Sequence, residues 1–528
     1  MKHILTKITL AAALVLGASG CNMDLRPYSV IDPENALETY ADAEKLANGF
    51  NVHIRSLSSG SIIYSPELQS DLFHATSSFG NRNGLVYRWT FTSSEGIFES
   101  VYLACYSAIA NANYFIEKAA SIESRVAGDP AFADTWTEDE LKLLKGHVSE
   151  AYFLRAYAYS ILVDRYCDAY DEATAGNENT GVALSNRYNP TSDKAQYPGK
   201  TTLEASYDQI YSDLEAAQEN IGLLRESAAG SLYVTEDVVK ALRARVALAR
   251  HDYAQAIQDA TEVINSGKYE LVSGTDALNQ LWTNDNQAGE VLLQCAVALT
   301  TEMPSTNNAN YLGYNYQNDV YSPDFVPEKW LVDLYDDTDY RRQVYFKSTP
   351  VQIGGITTQE PVLLFNKFPG NPALMTGESD YNYVNAPKPF RLAELYLIAA
   401  EAYLNSGMSN GVQEASRLLN ELQGRRHSGW ENVGYTQNQL AGEIADERVR
   451  ELVGEGFRLS DLRRYGNGMT RTEGQLSSIL YLPGSNTTEL FRVNDGDYRF
   501  VWAIPQAEID ANPNMRQNLG YTNSNSNN

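Results

Sequence analysis

The chain has 528 residues, with 41 Lys and Arg against 67 Asp and Glu, a formal net charge of −26. An acidic excess of that size excludes nucleic-acid phosphate as a partner, because phosphate recognition needs Lys and Arg patches. Four cysteines without close spacing exclude a disulfide framework, and Cys105, Cys167 and Cys295 read as ordinary buried thiols.

The N-terminus carries an export signal. Lys2, His3 and Lys7 precede an apolar run from Ile8 to Leu16, and small residues end it at Gly20. Ile8–Gly20 is 13 residues, too short for a membrane-spanning helix, which needs about 20. Ala18-Ser19-Gly20-Cys21 resembles the bacterial lipobox, with Ala where Leu is usual. That resemblance implies cleavage before Cys21, a diacylglycerol on its thiol and acylation of the new amino group. Several chains are needed because a single acyl chain holds a membrane only marginally. Asn22 follows, so the commonest inner-membrane retention signal, Asp, is missing. Loss of residues 1–20 leaves 39 basic against 67 acidic residues, a net charge of −28. Residues 21–35 read as a flexible tether, and the polar tail Asn523–Asn528 cannot bury apolar area.

Helical periodicity then dominates. Ser94–Ala119 is long and amphipathic, and Ser149–Tyr166 has a plausible mate in Leu203–Ile221. Val238–Arg250 is followed after two residues by Tyr253–Ile264, in which Ala256, Ile257, Ala260, Val263 and Ile264 share one face. Gly267 ends this pair, and small Ala244 and Ala256 stand where the backbones approach, as in a tetratricopeptide unit. Arg391–Gly407 and Val412–Leu422 repeat the pattern. The repeats have no fixed spacing, and the segments Cys167–Thr202 and Gly267–Pro389 lie between them as large irregular insertions.

The insertions are rich in Tyr, Asn and Gly. Asn307–Phe325 holds Tyr311, Tyr314, Tyr316 and Tyr321 among turn-forming residues, and Ser77–Phe91 is similar. Tyrosines in such loops have no helical face to bury, and a ring with a polar tip suits sugars or peptides. Catalytic signatures are missing: no HExxH, GxSxG, Walker loop or CxxC occurs. Gly454–Leu459 starts like a dinucleotide fingerprint but lacks the third Gly and follows a helix. Six scattered histidines form no metal-ligand spacing, and Asn284–Glu290 is no calcium loop. The sequence therefore reads as a binder, not an enzyme, with neither cofactor nor metal. A surface hydrolase needs only two carboxylates in space and stands as the rival class.

Eight segments in order resemble the SusD/RagB family, surface lipoproteins of Bacteroidetes nutrient-uptake systems. They are the lipobox at Cys21, Pro33–Phe50, the Ser149–Tyr166 helix, Asp252–Leu271, Pro327–Phe346, Arg391–Gly407, Glu447–Gly466 and Val501–Tyr521. The resemblance implies a mainly α fold of four tetratricopeptide-like helix pairs supporting an irregular ligand-binding half. It divides the chain into an N-terminal region, 36–230, and a C-terminal region, 231–528, intertwined in one unit. It implies a SusC-like TonB-dependent barrel as partner, over which the lipid-anchored protein closes as a lid on the outer face of the outer membrane. The ligand it implies is an oligosaccharide, or an oligopeptide as in the RagB branch, which several segments resemble more closely. The expected ligand residues are Asp71, Arg82, Trp89, Trp282, Tyr311, Tyr314 and Tyr316. The competing structural roles are an ion pair between Asp71 and Arg82, and core positions for Trp89 and Trp282. One departure is visible: the helix that begins with Trp in many relatives reads GIFESVY, with Phe98.

The anchor is testable directly. Cys21→Ala is expected to leave the precursor unlipidated and absent from the outer-membrane fraction; unchanged mass and membrane association in that variant would overturn the assignment.

Overall fold

Capping and apolar periodicity set the helical frame. The computed structural model describes residues 37–286, 289–303, 308–374, 384–471, 474–481 and 492–521; Cys21, the tether and the tail lie outside them. Helix α1 (Tyr40–Leu57) starts at a capping box between Thr39 and Asp42. The short α2 (Ser61–Gln69) leads to α3 (Gly96–Gly128). Next, α4 (Glu138–Tyr166) begins well before the expected Ser149. Leu141, Leu144 and Val148 give its first turns an apolar stripe that packs into the core, and a Thr137–Glu140 capping box with three first-turn acids fixes the start. Then come α5 (Leu203–Asn220), α6 (Glu236–Ala249), α7 (Tyr253–Asn265), α8 (Leu392–Asn405) and α9 (Gly411–Arg426). Two further helices, α10 (Gln437–Leu452) and α11 (Arg458–Arg464), complete the frame.

The expected pairings are present. Helix α4 packs on α1, α3 and α5; α6 packs on α7; α8 packs on α7, α9 and α10. Ala244 and Ala256 are fully buried, as small residues at a close helix approach should be. Charged clamps fix these contacts. Arg155 of α4 grips Asp213 of α5 with bonds of 2.9 and 2.6 Å and reaches Asn113 of α3 at 2.7 Å. Arg243 grips Asp259 across α6 and α7 at 2.7 and 2.6 Å. Stacked pairs of this kind are compatible with tetratricopeptide-like units. Cys105, Cys167 and Cys295 are free and buried, and burial pushes the Cys167 and Cys295 thiols up to about 12.

The strands are short antiparallel pairs. β1 (Phe73–Ala75) pairs β5 (Phe325–Pro327), and β2 (Val291–Leu293) pairs β10 (Phe390–Arg391). β3 (Tyr314–Asn315) pairs β4 (Val320–Tyr321), β6 (Phe346–Thr349) pairs β9 (Val362–Phe365), and β7 (Gln352–Ile353) pairs β8 (Ile356–Thr357). One large core joins the helices, a second surrounds Trp282 and Tyr311, and a small third core lies beneath β3 and β4. Gly454 and Gly456, at φ +80° and +89°, turn the chain between α10 and α11. A Cβ at Gly454 would stand 2.5 Å from the Phe365 ring, so the glycine serves close packing.

Buried ion pairs join the two halves. The carboxylate of Glu451 on α10 meets Arg391 at 2.8 Å, Arg426 at 2.9 Å and Arg341 at 3.0 Å. Arg391 and Arg426 also share Glu290, both at 2.9 Å, and Arg341 meets Glu447 at 2.6 Å. Burial alone would raise the Glu451 carboxyl, but Arg426 and Arg391 overcome it and hold it well below the ordinary range. Burial likewise opposes ionisation of Glu447, and Arg341 and Arg450 bring it down to about 2. Removing one member strands the others in low dielectric, so Glu451→Ala is expected to destabilise by about 3–5 kcal/mol. Urea unfolding checks this, and a loss below about 1 kcal/mol, the scale of an exposed pair, would contradict it.

Candidate functional site

The β1–β5 ladder brings the two Tyr- and Asn-rich loops together. Beyond its end, Thr76 donates its N–H to the Asp324 carbonyl at 2.8 Å and its hydroxyl to the Pro323 carbonyl at 2.8 Å. The Ser77–Phe91 loop then turns through Gly80, Asn81 and Asn83, all near φ +60°. Asn tolerates this left-handed conformation better than most residues. Between the two asparagines, Arg82 is 62% exposed and its Nη1 lies 2.7 Å from Asp324 Oδ2. Burial raises the Asp324 carboxyl to about 6 and Arg82 only partly offsets it.

On the facing loop, Tyr314 and Tyr321 sit opposite each other across the β3–β4 hairpin, ring centres 4.7 Å apart. Tyr314 donates its hydroxyl to Asp319 Oδ1 at 2.8 Å, and Lys347 Nζ stands 5.2 Å from the Tyr321 ring. Tyr316 lies between the two strands and is 48% exposed. Gly313 at the hairpin base has φ +55°, and a Cβ there would fall 2.1 Å from the Ser322 carbonyl. No other residue fits that base. A second hairpin, β7–β8, joins the same surface: Gly354 donates its N–H to Ser78 Oγ at 2.7 Å, and Tyr321 bridges to Val351. The exposed Ile356 belongs to this hairpin. Arg82, Tyr314 and Tyr316 are thus carried by adjoining loops, with Tyr321, Asp324 and Lys347 beside them.

The structure places the other expected ligand residues in buried positions with partners of their own. Trp89 is buried: its Nε1 donates to the Gln69 carbonyl at 2.8 Å and its ring packs on Phe500. Trp282 is buried against cations, with Lys367 Nζ at 4.4 Å and the Arg391 guanidinium at 4.9 Å from its ring. Tyr311 is buried between Phe73 and Phe365. Asp71 pairs with Arg458, not Arg82, through two bonds of 2.8 Å. Phe98 is a core residue, stacked on Trp502 with ring centres 4.7 Å apart. Among the described residues, no group of three or more His, Cys, Asp and Glu is placed to hold a metal ion.

Two family models match separate stretches. Residues 362–521 match the SusD family, and residues 24–248 match a family described as starch-binding and associating with the outer membrane. The chain belongs to the SusD family. The SusD-like protein P2 of Formosa agariphila is 25% identical over 98% of this chain and all of its own length. The starch-binding protein SusD of Bacteroides thetaiotaomicron is 33% identical, over 25% of this chain and 21% of its own. Among solved structures, a SusD superfamily protein from B. thetaiotaomicron superposes with a TM-score of 0.71 at 26% identity, covering 91% of this chain and 99% of the other. The surface glycan-binding protein A of Bacteroides fluxus has a TM-score of 0.66 at 20% identity over 91% and 99%, which shows the shared fold. Within this fold, the β7–β8 hairpin touches the Arg82-bearing loop at Ser78 and the β3–β4 hairpin at Tyr321.

The raised Asp324 carboxyl gives a pH dependence with a definite sign. A carboxyl whose folded value lies above its unfolded one binds protons more tightly when folded, so its charge costs stability above pH about 6. That cost fades as pH falls toward the ordinary carboxylate value. Carbon-13 NMR of the Asp324 carboxyl is expected to show a midpoint near pH 6, and Asp324→Asn to flatten this part of the stability profile. A midpoint near the ordinary value would contradict it.

Proposed function

We propose that the protein captures a nutrient oligomer at the cell surface and presents it, as a lid, to a SusC-like TonB-dependent barrel in the outer membrane. Membership of the SusD family and the description of the model matching residues 24–248 support this reading. Attachment runs through lipids on Cys21, a reading supported by the lipobox resemblance of Ala18-Ser19-Gly20-Cys21. The protein is a binder rather than an enzyme. The observation that carries the ligand site is the hairpin presenting Tyr314, Tyr316 and Tyr321 beside the exposed Arg82.

The ligand is an oligosaccharide, as the names of starch- and glycan-binding relatives support. Tyr314 and Tyr316 offer ring faces for stacking, while Arg82 orients hydroxyl or carboxylate groups by charge-assisted hydrogen bonds. The second reading is an oligopeptide. It draws on the two-stranded β3–β4 and β7–β8 hairpins, because a short ladder can accept an extended peptide as a further strand.

Tyr316→Ala is expected to weaken ligand binding about tenfold, equivalent to about 1.4 kcal/mol. The melting temperature should stay unchanged, because the exposed ring holds no core together. Isothermal titration with oligosaccharide and oligopeptide panels checks this, and wild-type affinity in Tyr316→Ala and Arg82→Ala together would move the site elsewhere.

A further inference from the structure

A second candidate site lies on the helical frame, apart from the tyrosine hairpin. A groove of 780 Å³ opens between α8, α9, the segment 269–273 and the segment 427–432. Its size falls in the range of about 300–1,000 Å³ found for small-molecule sites. Three half-buried aromatics line it: Tyr340, Tyr396 and Trp430.

The Trp430 ring is held in place. Its Nε1 donates to Asn420 Oδ1 at 3.2 Å, and the buried Asn420 is fixed in turn by the Val433 N–H at 2.7 Å and by its own donation to the Ser416 carbonyl at 2.8 Å. The indole edge passes over Gly424 of α9, where a Cβ would stand 3.4 Å from Cδ1. The His427 ring, 5.1 Å away, supports it from the side. An aromatic ring oriented before binding loses little entropy on contact. At the rim Arg425 pairs with Glu270 at 3.1 Å, and both remain largely exposed. An adjacent donor and acceptor of this kind match neighbouring hydroxyls on a sugar ring.

Backbone hydrogen bonding argues against an extended peptide here. Two of the groove walls are helices, whose N–H and C=O groups are bonded internally, and in the 427–432 wall the Ser428 N–H donates to the Thr338 carbonyl at 3.0 Å. In the remaining wall, Glu270 N–H donates to the Gly289 carbonyl at 3.0 Å and Val272 N–H to Glu290 Oε2 at 2.9 Å. The groove therefore offers ring faces and charged side chains but no strand edge to extend.

We propose that this groove is a second saccharide-binding site, in which a pyranose ring stacks on Trp430 and its hydroxyls bridge Glu270 and Arg425. The proposal goes beyond the ligand site on the hairpins and shares no residue with it.

The test titrates the full mature chain calorimetrically with maltohexaose, xylohexaose and mannohexaose. One of the three is expected to occupy two sites per chain. Trp430→Ala and the exposed substitution Arg425→Met should each weaken one site about tenfold, with circular dichroism unchanged in Arg425→Met. Tyr316→Ala should affect only the other site, so failure of the hairpin site and failure of the groove are read separately. Wild-type stoichiometry and affinity in both groove variants would overturn the proposal, as would the absence of any heat with all three sugars. Loss of a co-purifying transporter with unchanged sugar titration would assign the groove to a protein contact and overturn it equally.

Discussion

Three guanidinium groups converge on one buried carboxylate, and the arrangement of the two halves depends on it. Glu451 stands at the end of α10, while its partners Arg391, Arg426 and Arg341 come from β10, from the end of α9 and from the inserted segment before β6. Burying these charges is expensive, and their mutual attraction offsets the cost only while every partner is present. The network therefore specifies one mutual placement of frame and insertion. Trp282 belongs to the same assembly, since Lys367, Arg391 and Lys388 all lie against its ring. A cation against an aromatic face gains attraction that grows with desolvation.

From this network the frame reaches the proposed ligand surface in two steps. Arg341 precedes β6, and Lys367, which donates to the Glu451 and Val453 carbonyls at 2.9 and 3.1 Å, follows β9. The β6–β9 ladder is thus fastened at one end by charges belonging to α10 and its following turn. Side chains of β9, including Val362 and Leu364, then pack with Leu312, Val326 and Val351 beneath the tyrosine hairpin. The exposed rings owe their position to charges that touch no ligand.

Helices were legible because their information is local. The face formed by Ala256, Ala260 and Val263 lies within a few residues of what it specifies, and the Thr137 cap that starts α4 ahead of the expected Ser149 is equally local. The burial of three aromatics was illegible for the opposite reason. Trp89, Trp282 and Tyr311 sit among Asn, Gly and charged neighbours and read as surface, yet Phe500, Lys367 and Phe365, far along the chain, cover them. The ion pair of Asp71 is hidden in the same way, its partner Arg458 lying 387 positions away. One faint signal of the ion network was present. Glu447, Glu451 and Glu455 recur every fourth residue, interleaved with Arg448 and Arg450, a spacing that stacks the acids on one helical face. The Trp430 groove had no such signal, because its aromatics come from three separate segments.

The strands near the proposed ligand surface form isolated two-stranded ladders rather than one continuous sheet. In a shared sheet, lengthening one strand by a residue would flip its neighbours' side chains to the wrong face. Here the β3–β4 and β7–β8 hairpins meet through the Tyr321–Val351 bridge and share a small satellite core, so the tip of either can change length while the other ladder keeps its own register. The length of a hairpin tip is thus uncoupled from the charged network that joins frame and insertion.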